Sequence, residues 1–170
     1  MDEYPAGPYG LGVQETIDNF TFMGFRDSGD PFTEIHLSDF YDPDGTKGIK
    51  ALYITLGWNG CGAAVGQAKH MNQWDSQYRS EGLRQLSALH SDVKAPDFHY
   101  REAKESTARD WIATYGPKYD VVIDPTYQLN GGVKPATDPH GWLVDARTMK
   151  IVQVYGGAPG FLMGLDKLLK

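Results

Sequence analysis

Residues 50–78 decide the fold, and they read KALYITLGWNGCGAAVGQAKHMNQWDSQY. The first part, Lys50 to Leu56, is almost continuously apolar, which is typical of a strand that is buried on both faces of a parallel sheet. From Gly62 to Tyr78, small and apolar residues recur at helical spacing. The stretch therefore predicts a buried strand that passes through a glycine-rich turn into an amphipathic helix.

Cys61 is the one cysteine of the chain, and it lies in that turn, directly before the predicted helix. The start of a helix offers unpaired N–H groups and the positive end of the helix dipole, and both stabilise a thiolate. The amides of Gly62 and Ala63 would supply these N–H groups. One interpretation is therefore an accessible, reactive thiol; the other is a buried structural cysteine, because free cysteine is among the most buried residues.

Composition limits the possible functions. The chain has 170 residues, of which 41% are hydrophobic, and this is enough for one domain with a sizeable core. Its net charge of −6 leaves no basic stripe to neutralise phosphates, so nucleic acid is not an expected partner. No apolar run approaches the roughly 18 residues of a membrane-spanning helix.

The remaining elements are predicted around this central stretch. Residues 1–16 are rich in Pro, Gly and Tyr and predict an extended arm or a tether, whereas residues 17–170 predict one domain. Alternating strands and helices predict a parallel core reached by right-handed crossovers, and the closely spaced last two strands predict an antiparallel pair. The expected fold is α/β, with a mixed central sheet, helices on both faces and an N-terminal hairpin. Strands are expected at 19–25, 32–37, 83–90 (where leucine spacing would also suit a helix), 121–124, 141–145 and 149–155, helices at 102–115 and 161–169, and a loop at 94–98.

Several segments resemble the thioredoxin-like superfamily, and within it the redoxin or TlpA-like branch. Asn19–Phe22 and His36–Phe40 resemble the opening hairpin of that branch, and Leu52–Cys61 resembles the strand that leads into its Trp-Cys-x-x-Cys motif. Tyr119–Pro125 resembles the strand before the cis-proline loop of the family, and Asp138–Asp145 resembles the loop itself with the strand after it. The resemblance implies a three-layer thioredoxin-like fold.

The resemblance also implies which residues form the site. Cys61 matches the nucleophilic cysteine of the family, and Pro139 matches the cis-proline that packs against it. Asp138 then occupies the position whose backbone pairs with a substrate peptide. The implied substrate groove consists of Trp58, Gly60, Gly62, Ala63, Ala64, Asp138, Pro139 and His140, and no cofactor is expected.

Three residues depart from the family pattern. Ala64 stands where the family has its resolving cysteine, Gly60 rather than tryptophan precedes the nucleophile, and Thr55 occupies a strand position where thioredoxins often carry a buried acid. A thiolate at Cys61 could still attack a disulfide, but release of the partner by a second thiol of the same chain is excluded. The sequence thus favours a monothiol redox protein that acts on protein thiols and disulfides or on small thiols.

Other functions remain open from the sequence. The site could bind a peptide or partner chain without catalysis, with Trp58 as an exposed platform. It could act as a one-cysteine peroxidase, although the peroxiredoxin pattern Pro-x-x-x-Thr-x-x-Cys is absent, since Ile54 and Trp58 occupy its Pro and Thr positions. Cys61 and His140 could together handle a metal ion, unless His140 is a surface loop residue. The other histidines, His36, His70, His90 and His99, show no ligand spacing and are predicted to be ordinary surface or edge residues.

The resemblance implies a periplasmic, cell-envelope or secreted protein. Residues 1–5 lack the basic start and the apolar segment of a signal peptide. The Pro- and Gly-rich arm would suit a tether that follows a removed leader or a lipid anchor. The sequence leaves the oligomeric state open.

Overall fold

A computed structural model describes residues 3–93, 99–136 and 138–170; the loop predicted at 94–98 lies outside them. The strands are β1 (Thr21–Arg26), β2 (Gly29–His36), β3 (Ala51–Trp58), β4 (Leu83–Asp92), β5 (Arg101–Glu102), β6 (Asp120–Ile123), β7 (His140–Asp145) and β8 (Lys150–Gly156). The helices are α1 (Gly62–Tyr78), α2 (Glu105–Tyr115) and α3 (Leu165–Leu168), and 3₁₀ turns cover Leu37–Phe40, Arg79–Glu81 and Gln128–Asn130. Among these described residues, no helix is both long and apolar enough to cross a membrane.

The described strands form one mixed sheet in the order β2-β1-β6-β4-β3-β7-β8, with β5 paired to the end of β4. β3, β4 and β6 run parallel, whereas β7 is antiparallel to β3 and β8 is antiparallel to β7. β1 pairs antiparallel with both β2 and β6, so the N-terminal hairpin extends the sheet. The predicted α/β class, its mixed sheet and its hairpin are confirmed, and residues 83–90 form a strand.

The three α-helices pack on the same face of the sheet, so the prediction of helices on both faces was wrong. Ala68 of α1, Trp111 of α2 and Leu165 of α3 belong to one apolar cluster. The crossovers β3–α1–β4 and β4–α2–β6 step in the same direction across the sheet. Right-handed crossovers that step in one direction place their helices on one face, which explains the arrangement.

The opposite face of the sheet is covered by the N-terminal arm together with 3₁₀ turns. Tyr4 and Leu11 pack against a second apolar cluster that contains Trp142. The indole Nε1 of Trp142 donates a hydrogen bond to the carbonyl oxygen of Leu11 at 3.2 Å, and the N–H of Gln14 donates to the carbonyl of Ile151 at 2.8 Å. The described part of the arm therefore belongs to the third layer of the fold.

Two helices are shorter than the sequence pattern predicted. α2 begins at Glu105 rather than at residue 102, because Thr107 Oγ1 accepts the N–H of Lys104 at 3.0 Å and closes the helix start there. α3 has four residues instead of nine, since Gly164 precedes it with a φ of +89°, which a right-handed helix cannot contain.

Candidate functional site

Cys61 lies between the end of β3 and the start of α1, where it is the N-cap residue of the helix. Its backbone is extended, with φ −79° and ψ 117°, and its carbonyl oxygen accepts the N–H of Val65 at 3.0 Å. The residue is partly buried, while Gly62 and Ala63 in the first turn are exposed. The thiol thus lies at the start of a 17-residue helix, near amide groups that have no partner within the helix.

The loop before β7 supplies the second part of the site. The peptide bond between Asp138 and Pro139 is cis. The carbonyl oxygen of Asp138 lies 3.9 Å from Sγ of Cys61 and accepts its S–H, while the thiol makes no capping bond to its own helix. This contact belongs to the protonated thiol, because a thiolate has no hydrogen to donate.

Pro139 is buried under the turn and meets both the central strand and α1. A Cβ placed on Gly57 would lie 3.3 Å from the Cβ of Ala64 and 3.6 Å from that of Pro139, so these residues converge. Ala64 is only 5% exposed. Position 64 therefore faces inward beneath the turn, and a larger side chain there would enter this contact.

A cavity of about 10 Å³ lies next to this contact, which is about the room that one water molecule needs. The carboxamide of Gln67 and the indole N–H of Trp111 line it, and neither has a hydrogen-bond partner within the described ranges. The Thr55 hydroxyl donates to the sulfur of Met71 at 3.8 Å. Neutral polar groups therefore occupy the region where the family pattern would place a buried acid.

His90 is a site residue that the sequence interpretation missed. It is wholly buried at the end of β4, so the prediction of a surface or edge residue was wrong. Its Nε2 lies 3.1 Å from Oδ1 of Asp138, and its Nδ1 lies 2.7 Å from Oγ of Ser91. Asp138 therefore has two contacts: its carboxylate is bound to His90 and its carbonyl oxygen is bound to Cys61.

One sequence signal for this burial did exist. Leu86 and Ala88, which precede His90 by four and two positions on the same strand, belong to the second apolar cluster. Because side chains two apart share a face of a strand, the pattern already placed the imidazole over that core. Its partner Asp138 lies 48 residues away, and no local pattern predicts that contact.

Two aromatic rings form a wall beside the turn; we call Trp58 and Tyr100 the aromatic wall. Their ring centroids are 5.1 Å apart, Trp58 is half-buried and Tyr100 is 49% exposed. The ammonium of Lys134 lies 3.4 Å from the centroid of the Tyr100 ring. A Cβ on Gly60 would overlap the Trp58 ring, so the glycine allows the ring to lie against the turn.

The pKa values of two groups around the site, Tyr100 and Asp124, are raised. Partial burial raises the pKa of the Tyr100 phenol above its ordinary value, and the negative charges of Asp138 and Cys61 act in the same direction. Burial also raises the pKa of the Asp124 carboxyl, although the backbone N–H of Leu129 and the charge of His90 oppose this rise. His90 therefore interacts with two acidic groups, Asp124 and Asp138.

His140 does not join Cys61. It pairs with Leu56 across the sheet, and its ring lies 6.0 Å from that of Trp142; both neighbours belong to the second apolar cluster. Cys61 instead packs against the cluster on the helix side. Among the residues that the structure describes, no group of three or more His, Cys, Asp or Glu side chains is placed to hold a metal ion.

The sheet order and the helix positions are those of the thioredoxin-like fold, so the fold that the resemblance implied is confirmed. Comparison with family models found no match, and comparison with curated protein sequences found none either.

Among solved structures, the chain is similar to the thioredoxin domain of a thiol-disulfide oxidoreductase from Bacteroides vulgatus. The TM-score is 0.68 at 13% identity, over 95% of this chain and 100% of that one. A protein from Chlorobium tepidum that is assigned as a thiol:disulfide interchange protein DsbE gives 0.65 at 20% identity, over 94% and 96% of the two chains. AhpC from Enterococcus faecalis gives 0.63 at 13%, over 92% and 87%. At these identities, the similarity concerns the fold.

Proposed function

We propose that this protein is a monothiol redox protein of the thioredoxin-like kind, in which Cys61 is the nucleophile. One observation carries the proposal: the single thiol lies at the start of α1, partly exposed, and directly against the carbonyl oxygen that precedes the cis-proline. The names of the similar structures, which include a thiol-disulfide oxidoreductase, support the same chemistry.

The proposed reaction is thiol–disulfide exchange. The thiolate of Cys61 attacks one sulfur of a disulfide, a new S–S bond forms, and the old S–S bond breaks with its electron pair on the leaving sulfur. The leaving thiolate then takes a proton from solvent. Cys61 is oxidised to a mixed disulfide while one half of the partner is reduced to a thiol.

Ala64 determines how this cycle ends. No second thiol exists in the chain, so an external thiol must attack the mixed disulfide to release Cys61. The proposed partners are therefore of two kinds, a disulfide substrate and a thiol reductant, either of which is a protein or a small molecule. The groove would be formed by Trp58, Gly60, Gly62, Ala63, Asp138 and Pro139.

A binding role without catalysis is the second candidate, and the aromatic wall favours it. Tyr100 is about half exposed beside the thiol, and exposed aromatic rings are common anchors for partner chains. This function would use the same groove but would not need a reactive sulfur.

The names of two similar structures support a cell-envelope or secreted compartment for this protein. Two of the similar structures are described as thiol:disulfide interchange proteins, and exchange of this kind suits an oxidising compartment.

The test is to mix the reduced protein with glutathione disulfide and to follow the intact mass. The expected product carries one glutathionyl group, is absent in Cys61→Ser, and persists until a free thiol such as dithiothreitol is added. If the protein keeps a free thiol at mildly alkaline pH and still forms no adduct, the redox function is wrong. Binding of an extended peptide that is lost in Trp58→Ala but kept in Cys61→Ser would then favour the second candidate.

A further inference from the structure

The His90–Asp138 pair connects the buried end of β4 with the Cys61 thiol. We propose that His90 is a positioning residue for Cys61 that acts through Asp138: it holds the Asp138 loop against the sulfur, and its protonation sets the net charge of the pair beside that sulfur. This inference deepens the proposed function, because it takes Cys61 as the reacting group.

The positioning role follows from the two contacts of Asp138. Its side chain is 11% exposed and is bound at Oδ1 by the imidazole of His90, which is 0% exposed. Its backbone oxygen accepts the S–H of Cys61. A residue bound at both ends transmits a shift from one end to the other, so loss of the imidazole contact should loosen the carbonyl that faces the thiol.

The charge role follows from Ser91. A hydroxyl can donate to an unprotonated Nδ1 and can equally accept from a protonated one, so Ser91 satisfies His90 in both states. Nε2 can donate to Asp138 in both states. This buried imidazole can therefore change its protonation state while both of its hydrogen bonds are kept.

The state of His90 then changes the charge near the sulfur. With a protonated imidazole the pair is neutral, whereas with a neutral imidazole it carries the single negative charge of Asp138. A negative charge close to a thiol disfavours the thiolate. We therefore expect that Cys61 reacts faster when His90 is protonated than when His90 is neutral.

Other polar and charged groups also face the pair. Asp124 and the ring of Tyr127, both in the connection between β6 and β7, approach His90, the latter at 5.2 Å. The phenol of Tyr100 faces both Asp138 and Cys61, and the ammonium of Lys134 lies over its ring. These groups remain in every variant below, so differences between the profiles report His90 and Asp138.

The test is the rate of Cys61 alkylation by iodoacetamide, an uncharged reagent, from about pH 5 to 9.5. The chain has one cysteine, so the modified mass reports this thiol alone. For the unmodified protein we expect a shoulder on the acid side of the main rise. In His90→Gln, whose amide can donate to Asp138 but cannot take up a proton, the shoulder should vanish and the rate at the pH of the shoulder should fall about three- to tenfold, with the rate near pH 9 within twofold.

His90→Phe and His70→Gln complete the comparison. The phenyl ring fills the space but cannot bind Asp138, so in His90→Phe the Asp138 carbonyl should no longer be held where it accepts the S–H of the protonated thiol. Loss of that bond favours the thiolate, so the rate near pH 9 should rise in His90→Phe, and the glutamine variant should keep the original rate there. His70, on α1, binds the carbonyl oxygen of Pro159 instead, so His70→Gln should keep the original profile. If His90→Gln reproduces the original profile, or if His90→Phe equals it near pH 9, the proposal is overturned.

Asp138→Asn tests the pair independently if the His90 variants do not fold. Removing the carboxylate should raise the alkylation rate near pH 7, and an unchanged profile would overturn the proposal. The alkylation profile does not depend on disulfide exchange. A His90-dependent profile without a glutathione adduct would refute the redox function but not the pairing, and the reverse result would refute the pairing alone.

Discussion

Replacing the buried carboxyl of Asp120 should stabilise the protein at neutral pH. Asp120 begins β6, is 6% exposed, and accepts the backbone N–H of Asp27 at Oδ1 over 2.8 Å. Burial raises the pKa of this carboxyl from its ordinary value of 3.8 to about 6, although the Asp27 N–H and the charges of Arg26 and Arg79 act in the opposite direction. The perturbation is Asp120→Asn, which removes the ionisation and keeps an oxygen for the Asp27 N–H.

The sign and size follow from proton linkage. The folded protein holds this proton more tightly than the unfolded chain does, so the free energy of unfolding falls as the pH rises from about 4 to about 6 and then levels off. A pKa difference of about two units corresponds to about 3 kcal/mol. Asp120→Asn should therefore be about 3 kcal/mol more stable than the unmodified protein near pH 7.5 and within about 1 kcal/mol of it near pH 4.

Urea unfolding followed by far-ultraviolet circular dichroism measures this difference between about pH 4 and pH 8. With an m-value of about 1–3 kcal/mol/M, the midpoint near pH 7.5 should rise by about 1–3 M. Asp166→Asn, an exposed carboxyl in α3, is the matched control and should leave the pH dependence nearly unchanged. If the stability curves of Asp120→Asn and of the unmodified protein run parallel over this range, burial does not shift this carboxyl and the reasoning is refuted.

Three further changes test the site and its support. Ala64→Cys places a second thiol one helical turn after Cys61, where Cα atoms lie roughly 5 Å apart and a disulfide can close. The variant should release a glutathionyl adduct without added thiol, and an adduct that persists would show that a thiol at position 64 does not reach Cys61. Gly60→Ala should displace the Trp58 ring, seen as a fluorescence change that is absent in the Trp58→Phe background, at a stability cost of about 1–2 kcal/mol; unchanged emission would show that the ring does not lie on this glycine. Deleting residues 1–16 should lower the free energy of unfolding by about 3–5 kcal/mol, because the packing of Leu11 and the backbone hydrogen bonds to Ile151 are lost. A loss under about 1 kcal/mol would mean that the contacts of the arm with the sheet contribute little to stability.

The central strand, the first helix and the position of Cys61 could be predicted because their signals are local. The apolar run of β3 and the helical spacing of α1 each lie within one short stretch of sequence, and Cys61 lies between them. The strand at β4 was ambiguous, since its leucines suited both periods; parallel pairing with β3 decided the matter. The face on which each helix packs depends on the direction in which the two crossovers step across the sheet. That direction follows from the order of the strands in the sheet, which no single segment of the sequence reveals.

The site was less predictable than the fold because its contacts join distant segments. The resemblance brought Asp138 and Cys61 together, but the imidazole that holds Asp138 comes from a third segment, at the end of β4. His140 was assigned by its closeness in sequence to Pro139, and strand alternation turned it to the opposite face. For residues on strands, the face of the sheet on which a side chain lies therefore determines its contacts more than its distance from the site along the chain does.

The N-terminal arm has a practical consequence for handling the protein. Tyr4 and Leu11 lie on the sheet and the Trp142 indole donates a hydrogen bond to the arm, so residues 3–16 pack as part of the folded domain. An affinity tag, fusion partner or engineered cleavage site belongs ahead of Glu3. A cut near Ile17 would expose the second apolar cluster beneath β7, the strand that follows the Asp138–Pro139 loop.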